Sequence, residues 1–146
     1  MSTIAYCAGF FDGEGCISLE EVRPSVAWCA KHRVNREVYR EHRLRCITVQ
    51  KYDAAPLALL EKTFGGRVHN FADGQARHII NGHEAVAMLA EMLPWLTVKR
   101  DQAAVSVRFF DMTRADRAAA VHQLRAMKRH NKRSSAMSQS ITALGA

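Results

Sequence analysis

The feature that most restricts the fold of this chain is a short stretch near its start, residues 6–17, with the sequence YCAGFFDGEGCI. At helical spacing, Ala5, Gly9 and Gly13 fall on one line along a helix, and that line carries almost no side chain. Each glycine inside a helix costs about 1 kcal/mol relative to alanine. Helices that carry such small-residue stripes usually pack closely against another backbone, so we expect a second helix on this face.

The same stretch predicts where the helix ends. Gly15 can adopt the left-handed backbone conformation that often terminates a helix, so we expect the last helical residue to be Glu14. A carboxylate at that position lies at the negative end of the helix dipole, where it needs a compensating cation.

Residues 8–15, AGFFDGEG, resemble the signature motif of the LAGLIDADG homing endonucleases, with Cys7 at the position where leucine is most common. The shared pattern is small, glycine, apolar, apolar, acid, small, acid, glycine. An ordinary helix that ends in an acidic, glycine-rich turn is the alternative interpretation. The motif occurs once in the chain, and the resemblance extends over about residues 4–112.

Composition sets broad limits on the function. The chain has 146 residues, of which 48% are hydrophobic, and this suits one domain, which we place at residues 1–133 with a flexible tail over 134–146. A net charge of +7 favours a polyanionic partner. The start lacks a signal peptide, and no apolar run reaches the ~20 residues of a membrane span, so we expect an intracellular protein without a membrane partner.

The cysteines and histidines do not form a recognisable metal motif. Cys7, Cys16, Cys29 and Cys46 include no CxxC pair, and no cysteine has zinc-finger spacing to a histidine pair. We therefore expect buried free thiols rather than a zinc site. The dipeptide His130-Asn131 is too little to indicate an HNH-type nuclease.

Hydrophobic periodicity predicts the order of elements. After the first helix we expect a strand to about Arg23, a basic segment over 24–40, a strand over 41–51, a helix over 54–64, a hairpin over 67–80, helices over 83–93 and 95–110, and a last helix from Thr113 to about Arg129. The basic segment is predicted to be either a long hairpin tip or a loop that orders on nucleic acid. The pattern over 95–110 places Val98 in the core.

Two hairpins with intervening helices predict an α+β domain with one four-stranded antiparallel sheet, followed by C-terminal helices. One face of this sheet would pack on helices, and the other would be basic. The order αββαββα is also that of the homing endonucleases, and the resemblance implies that the sheet is saddle-shaped and binds DNA.

The resemblance implies roles for individual residues. Glu14 matches the metal-binding acid, Gln50 a peripheral glutamine that positions water or metal, and Lys99 a lysine close to the scissile phosphates. These three are the expected catalytic residues. A polar strand end and an ordinary first-turn lysine are the alternatives for Gln50 and Lys99. The structural part of the motif comprises Ala5, Gly9, Asp12, Gly13 and Gly15, with Asp12 holding backbone groups near the helix end.

Phosphodiester hydrolysis suits a divalent metal, and Mg²⁺ prefers oxygen ligands such as the Glu14 carboxylate. We expect Mn²⁺ to substitute, Ca²⁺ to bind without turnover, and no small-molecule cofactor. If two copies of the first helix pack along the glycine stripe, their Glu14 side chains converge. The single motif thus predicts a homodimer that cuts both strands of a near-palindromic DNA target, and the family suggests an intron-encoded protein.

Recognition of double-stranded DNA is expected from polar side chains on the sheet and from the basic end of the last helix. Arginine and lysine can read guanine in the major groove, for about 1–3 kcal/mol of discrimination. The candidates are Ser18, Glu20, Arg43, Arg45, Arg67, His69, Gln75, Arg77, Lys128 and Arg129. A solvated sheet face is the alternative for the strand arginines, and Lys128 and Arg129 contact either the DNA backbone or nothing.

Two other functions are compatible with the sequence. A DNA- or RNA-binding protein of the same fold, such as a maturase or a regulator, would bind without cutting. A small basic structural protein of unrelated fold would show neither metal dependence nor a specific footprint. The joint presence of Glu14, Gln50 and Lys99 favours cleavage.

Overall fold

The computed structural model describes the backbone of residues 2–145 and the side chains of residues 2–133. Helix α1 runs from Thr3 to Glu14, and the Ser2 hydroxyl caps it by accepting a hydrogen bond from the backbone N–H of Ala5 at 3.0 Å. Strand β1, Gly15–Val22, follows with no residue between.

The predicted left-handed conformation of Gly15 is wrong. Its φ of −83° and ψ of 164° are extended, because Gly15 is already the first residue of the strand. Glycine is needed there for space instead: a Cβ atom would lie 2.2 Å from Cδ2 of Phe11 and 2.7 Å from its carbonyl oxygen. The tight passage from helix to strand therefore depends on the missing side chain.

The segment over 24–40 contains a short helix that the sequence analysis did not predict. Helix α2 spans Val26–His32, and the Ser25 hydroxyl caps it by accepting from the N–H of Trp28 at 3.1 Å. The indole of Trp28 stacks on the His32 ring with centroids 4.0 Å apart. The helix has only 7 residues and buries one of them, so it produces no apolar periodicity.

The remaining strands complete the predicted four-stranded sheet. Strands β2 (Glu41–Gln50), β3 (Arg67–Asn70) and β4 (Ala76–Asn81) pair antiparallel in the order β1-β2-β4-β3. Arg67 lies opposite Ile79 and His69 opposite Arg77, as the hairpin around Gly74 predicts. The α+β fold class and the four-stranded antiparallel sheet are thus confirmed.

Three helices and α1 cover the inner face of the sheet. They are α3 (Ala55–Phe64), α4 (Gly82–Met92) and α5 (Arg100–Ser106). Each fully buried side chain of this size contributes about 1.5–3 kcal/mol. The largest apolar ones are Phe11, Ile17, Leu44, Leu57, Leu60, Ile80, Met88, Leu89, Met92 and Leu96.

The predicted single helix over 95–110 is wrong in its bounds. Two short 3-10 turns, Leu93–Trp95 and Phe109–Asp111, flank α5. Residues 97–99 precede the helix, and Val98 is 56% exposed rather than buried in the core.

The last helix, α6, spans Arg114–Gly145 and begins with the predicted capping box. The N–H of Asp116 donates to the Thr113 hydroxyl at 3.1 Å, and the N–H of Thr113 donates to the Asp116 carboxylate at 3.2 Å. The predicted end near Arg129 is wrong, because no glycine or proline interrupts the chain before Gly145. The flexibility predicted for 134–146 stays a prediction, because the side chains of this segment and Ala146 lie outside the described residues.

Within the described part of the chain, no helix combines the length and the apolar character that crossing a membrane requires.

Candidate functional site

The outer face of the sheet carries polar and basic side chains. Strand alternation buries Ile17, Leu44 and Ile80 on the inner face, so their neighbours in each strand point outward. Eight of the residues predicted to bind DNA lie on this outer face. They are Ser18, Glu20, Arg43, Arg45, Arg67, His69, Gln75 and Arg77.

Several guanidinium groups on this face are held in place by neighbours. Arg43 lies opposite Glu20 and donates to its carboxylate from Nε at 3.2 Å. Arg45 Nε donates to Oδ1 of Asn81 at 2.9 Å. These contacts limit the rotamers of both arginines and present their remaining N–H groups outward. Asn81 was not among the predicted residues, although its position two residues beyond Ile79 gives it the same face.

Asp12 connects the end of α1 to the segment before α5. Its Oδ2 accepts from the backbone N–H groups of Thr97 at 3.1 Å and Val98 at 2.9 Å, and its Oδ1 accepts from that of Lys99 at 2.8 Å. Lys99 Nζ donates to the Asp12 carbonyl at 2.5 Å. These four hydrogen bonds fix Lys99 beside the end of the helix that carries Glu14.

Glu14 itself is exposed. In the part of the chain with described side chains, its carboxylate forms no ion pair and accepts no hydrogen bond. Burial lowers the pKa of the Lys99 ammonium, and the charge of Lys128 acts in the same direction, while Asp12, Cys16 and Glu14 oppose this shift. Lys99 therefore lies within electrostatic reach of Glu14, Cys16 and Lys128.

Gln50 lies at the same end of the sheet. It is the last residue of β2, opposite Ala76, and it follows by two residues Thr48, which pairs with Gly15 at the start of β1. Among the contacts of residues 2–133, none joins Gln50 to Glu14 or to Lys99. The structure thus places Lys99 within electrostatic reach of Glu14, and it places Gln50 at the same end of the sheet without a contact to either.

Lys128 and Arg129, which the sequence analysis treated alike, differ in position. Lys128 Nζ donates to Sγ of Cys16 at 3.4 Å and is partly buried. Arg129 is exposed, and no hydrogen bond of its side chain occurs within residues 2–133. Cys16 was not predicted to lie near these residues, although its alternation with Ser18 and Glu20 indicates the outer face.

The stripe on α1 is open. Gly9 and Gly13 are exposed, and a Cβ atom added to either would meet nothing within 4 Å. Tyr6, next to this stripe, is 45% exposed. No described residue of the same chain covers the face on which we expect another helix.

The donor groups of the site fit a divalent ion that is held jointly with substrate. No group of three or more histidine, cysteine or acidic side chains among the described residues could hold a metal by itself. Mg²⁺ commonly uses only one or two carboxylates together with phosphate oxygens and water. The exposed, unpaired carboxylate of Glu14 meets that requirement.

No family model and no curated protein sequence matches this chain. Solved structures do match. A crystal structure of the homing endonuclease I-CvuI with its target and calcium aligns with a TM-score of 0.67 and 21% identity over 85% of this chain and 80% of that one. The archaeal intron-encoded homing endonuclease I-Vdi141I, complexed with DNA, gives 0.61 and 15% over 85% and 82%.

The LAGLIDADG homing endonuclease I-GzeII, in complex with its DNA target, aligns with a TM-score of 0.55 and 11% identity. That match covers 85% of this chain and 43% of I-GzeII. At these identities the similarity establishes the fold. The resemblance predicted from residues 8–15 is confirmed at that level.

Proposed function

We propose that this chain, whose fold is that of the LAGLIDADG homing endonucleases, is a site-specific endonuclease that hydrolyses phosphodiester bonds in double-stranded DNA with a divalent metal ion. The observation that carries the proposal is the position of Glu14 beside Lys99. An unpaired carboxylate and an ammonium group lie within electrostatic reach of each other at one end of a sheet face that is lined with arginines.

Each residue of the site has a distinct role. Glu14 would hold Mg²⁺, or Mn²⁺ in its place, and the ion supplies polarisation of the phosphate and a more acidic bound water. Lys99 neutralises negative charge that develops on the phosphate or on the leaving oxygen. Gln50 helps to orient water from the end of β2. Ca²⁺ supports binding without turnover.

The active form is a homodimer through α1. Packing along Gly9 and Gly13 would cover the open stripe and bring the two Glu14 carboxylates near a two-fold axis. Each copy would then act on one strand of a near-palindromic duplex. An intracellular location and an intron-encoded origin belong to this proposal as predictions.

The sheet is the surface that reads the duplex. Its outer face carries Arg43, Arg45, Arg67 and Arg77, and the chain as a whole has a net charge of +7. Phosphate contacts would supply most of the affinity, and arginine contacts to guanine edges would supply specificity.

Selection of cleaved duplexes tests this function. The protein is incubated with a library of randomised duplexes and Mg²⁺, and newly formed ends are captured and sequenced. We expect double-strand cuts at one near-palindromic sequence, and loss of cutting in Glu14→Gln. Binding of the selected duplex in Ca²⁺ should survive in this variant, with two chains per duplex in sedimentation.

Glu91→Gln is the matched control, because Glu91 is an exposed acid on α4 whose side chain forms no hydrogen bond or ion pair with Asp12, Glu14 or Lys99. Normal cutting by Glu14→Gln would refute the assignment of the metal-binding carboxylate. Specific binding without any cut by the unmodified protein would instead favour a non-cleaving DNA- or RNA-binding protein of the same fold.

A further inference from the structure

We propose that Lys128 is a second cationic residue of the cleavage site, which contacts the scissile phosphate beside Lys99 and stabilises the charge of the transition state. This inference rests on the proposed endonuclease function. It assigns Lys128 a different role from the other basic residues near the middle of α6, which would contact backbone phosphates outside the cleavage site.

Helix α6 is fixed on both sides of Lys128. Before it, Arg114 Nη2 donates to the Arg40 carbonyl at 2.6 Å, next to the start of β2. After it, Asn131 Nδ2 donates to the Val98 carbonyl at 3.3 Å, inside the segment that Asp12 holds. The helix thus runs along the edge strand β1 from one end of the sheet to the other. Lys128 lies at the end of the sheet that is close to Glu14.

Cys16 sets the position of the ammonium group. It follows Glu14 by two residues and lies exposed on the outer face of β1. Its Sγ accepts the hydrogen bond from Lys128 Nζ at 3.4 Å. A strand advances about 3.3 Å per residue, so the Cα atoms of Glu14 and Cys16 are at most about 7 Å apart, and this ammonium group lies near the end of α1 that carries Glu14.

The charges around Lys128 leave it available to an anion. A thiol is a weak acceptor that does not neutralise an ammonium. A groove of about 390 Å³ between β1 and α6 is lined by Lys128 and also by Glu20, Glu21 and Arg125. Glu20 is already paired with Arg43, and within residues 2–133 Lys128 has no ion pair.

The ammonium groups of Lys99 and Lys128 are close enough for their charges to influence each other. Two like charges at this range repel unless an anion lies between them. A phosphate held by Glu14-bound metal would occupy that place. The arrangement therefore favours a bound phosphate, and the contact would strengthen as negative charge develops on the phosphoryl group, as a transition-state contact requires.

Single-turnover cleavage of the selected duplex tests the role of Lys128. Lys128→Met keeps the alkyl stem and removes the charge. We expect the rate at saturating protein to fall about 100-fold, at the lower end of the effect of losing one charge-stabilising donor. Binding in Ca²⁺ should weaken only about as much as in Lys132→Met, the control at an exposed lysine one turn further along α6. Lys128→Arg should restore part of the rate.

Cys16 is a positioning residue in this scheme, and a double-mutant cycle tests it. Cys16→Ser keeps an acceptor for Lys128, whereas Cys16→Val removes it. We expect a lower rate only in the valine variant, and no further loss when Cys16→Val is added to Lys128→Met. A purely structural role of Cys16 would give independent, additive losses. Thermal unfolding confirms that each variant folds.

Two results would overturn the inference, and they are distinguishable. If the unmodified protein cuts and Lys128→Met cuts at the same saturated rate, Lys128 is an ordinary backbone contact, and the salt dependence of binding should fall by about one unit of slope. If neither protein cuts although both bind the duplex, the endonuclease proposal fails, and this inference fails with it.

Discussion

Asp12 and Lys99 each bind the backbone of the other's segment. The Asp12 carboxylate accepts hydrogen bonds from the N–H groups of residues 97–99, and Lys99 Nζ donates to the Asp12 carbonyl, across a separation of 87 residues in the chain. The first acid of the motif therefore determines where Lys99 lies relative to the second acid, Glu14.

Asp12→Asn should destabilise the fold. The amide has one acceptor oxygen where the carboxylate has two, and hydrogen bonds to charged groups are worth about 1.5–3 kcal/mol each. We expect the free energy of unfolding in urea to fall by about 2 kcal/mol. Asp111→Asn is the control, because Asp111 is exposed and its carboxylate accepts no hydrogen bond within residues 2–133. Equal stability of the two variants would contradict the role of Asp12.

Gly15→Ala should also destabilise the fold, but by steric overlap rather than by loss of hydrogen bonds. The new methyl group would lie 2.2 Å from Cδ2 of the buried Phe11, and 2.7 Å from the backbone oxygen, which cannot move aside. Overpacking of this kind costs about 1–3 kcal/mol. Urea unfolding measures it, and Gly15→Ala with Phe11→Leu should recover part of the loss. No recovery would indicate that the backbone oxygen alone causes the strain.

Gly9→Ala should separate the stability of the chain from its association. Nothing within 4 Å opposes a methyl group in one chain, and alanine gains about 0.8–1 kcal/mol in a helix, so the dilute protein should unfold at a higher urea concentration. The proposed dimer should become weaker, because the methyl group separates the two helices. Sedimentation measures the association.

Ala87→Leu provides the control for this prediction, since Ala87 is exposed on α4 and outside the α1 face. It should leave the dimer constant unchanged. A Gly9→Ala protein that dimerises as tightly as the unmodified one would place the interface elsewhere.

His78 should make the fold sensitive to acid. Its ring is fully buried, and Nε2 lies 2.8 Å from the Gly65 carbonyl, which can only accept, so Nε2 carries the hydrogen. Burial lowers the pKa of His78 below its ordinary value of 6.5. Below pH 6.5 the unfolded chain binds a proton that the folded chain does not, so stability decreases as the pH falls toward the lower, native pKa.

Within that window the loss reaches about 1.4 kcal/mol per pH unit. Urea unfolding between pH 7.5 and pH 5 should show a shallower dependence in His78→Gln, whose amide can still donate to the Gly65 carbonyl. His69→Gln changes an exposed ring on the outer sheet face and should keep the slope of the unmodified protein. Identical slopes in all three proteins would show that His78 does not titrate differently on folding.

Local patterns were sufficient to predict most of the fold. Alternation from Leu44 to Thr48 identified β2 and its buried face, and Asp73-Gly74 identified the hairpin of β3 and β4. Thr113 and Asp116 identified the start of α6. In each case neighbouring residues contain the whole signal, because the side chains that decide the structure lie within a few positions of one another.

The features that the sequence did not predict depend on distant parts of the chain or on short elements. Val98 fits a helical core pattern, but the Asp12 carboxylate accepts hydrogen bonds from the backbone N–H groups of this segment. These bonds hold Val98 outside the helix. The contact of Lys128 with Cys16 spans 112 residues and depends on the course of α6 along β1. The placement of Glu14 beside Lys99 was expected from the family motif, and periodicity alone did not predict it.

The direct passage from α1 into β1 has a consequence for fidelity. Glu14 is followed directly by β1, the strand that would read the duplex, so we expect Glu14 and this strand to move together. Residues in a strand and phosphates along one DNA strand both repeat about every 3.4 Å. A protein bound one base pair away from its target position would therefore place the Glu14 carboxylate at the wrong phosphodiester. An error in recognition would then also shift the position of the cut.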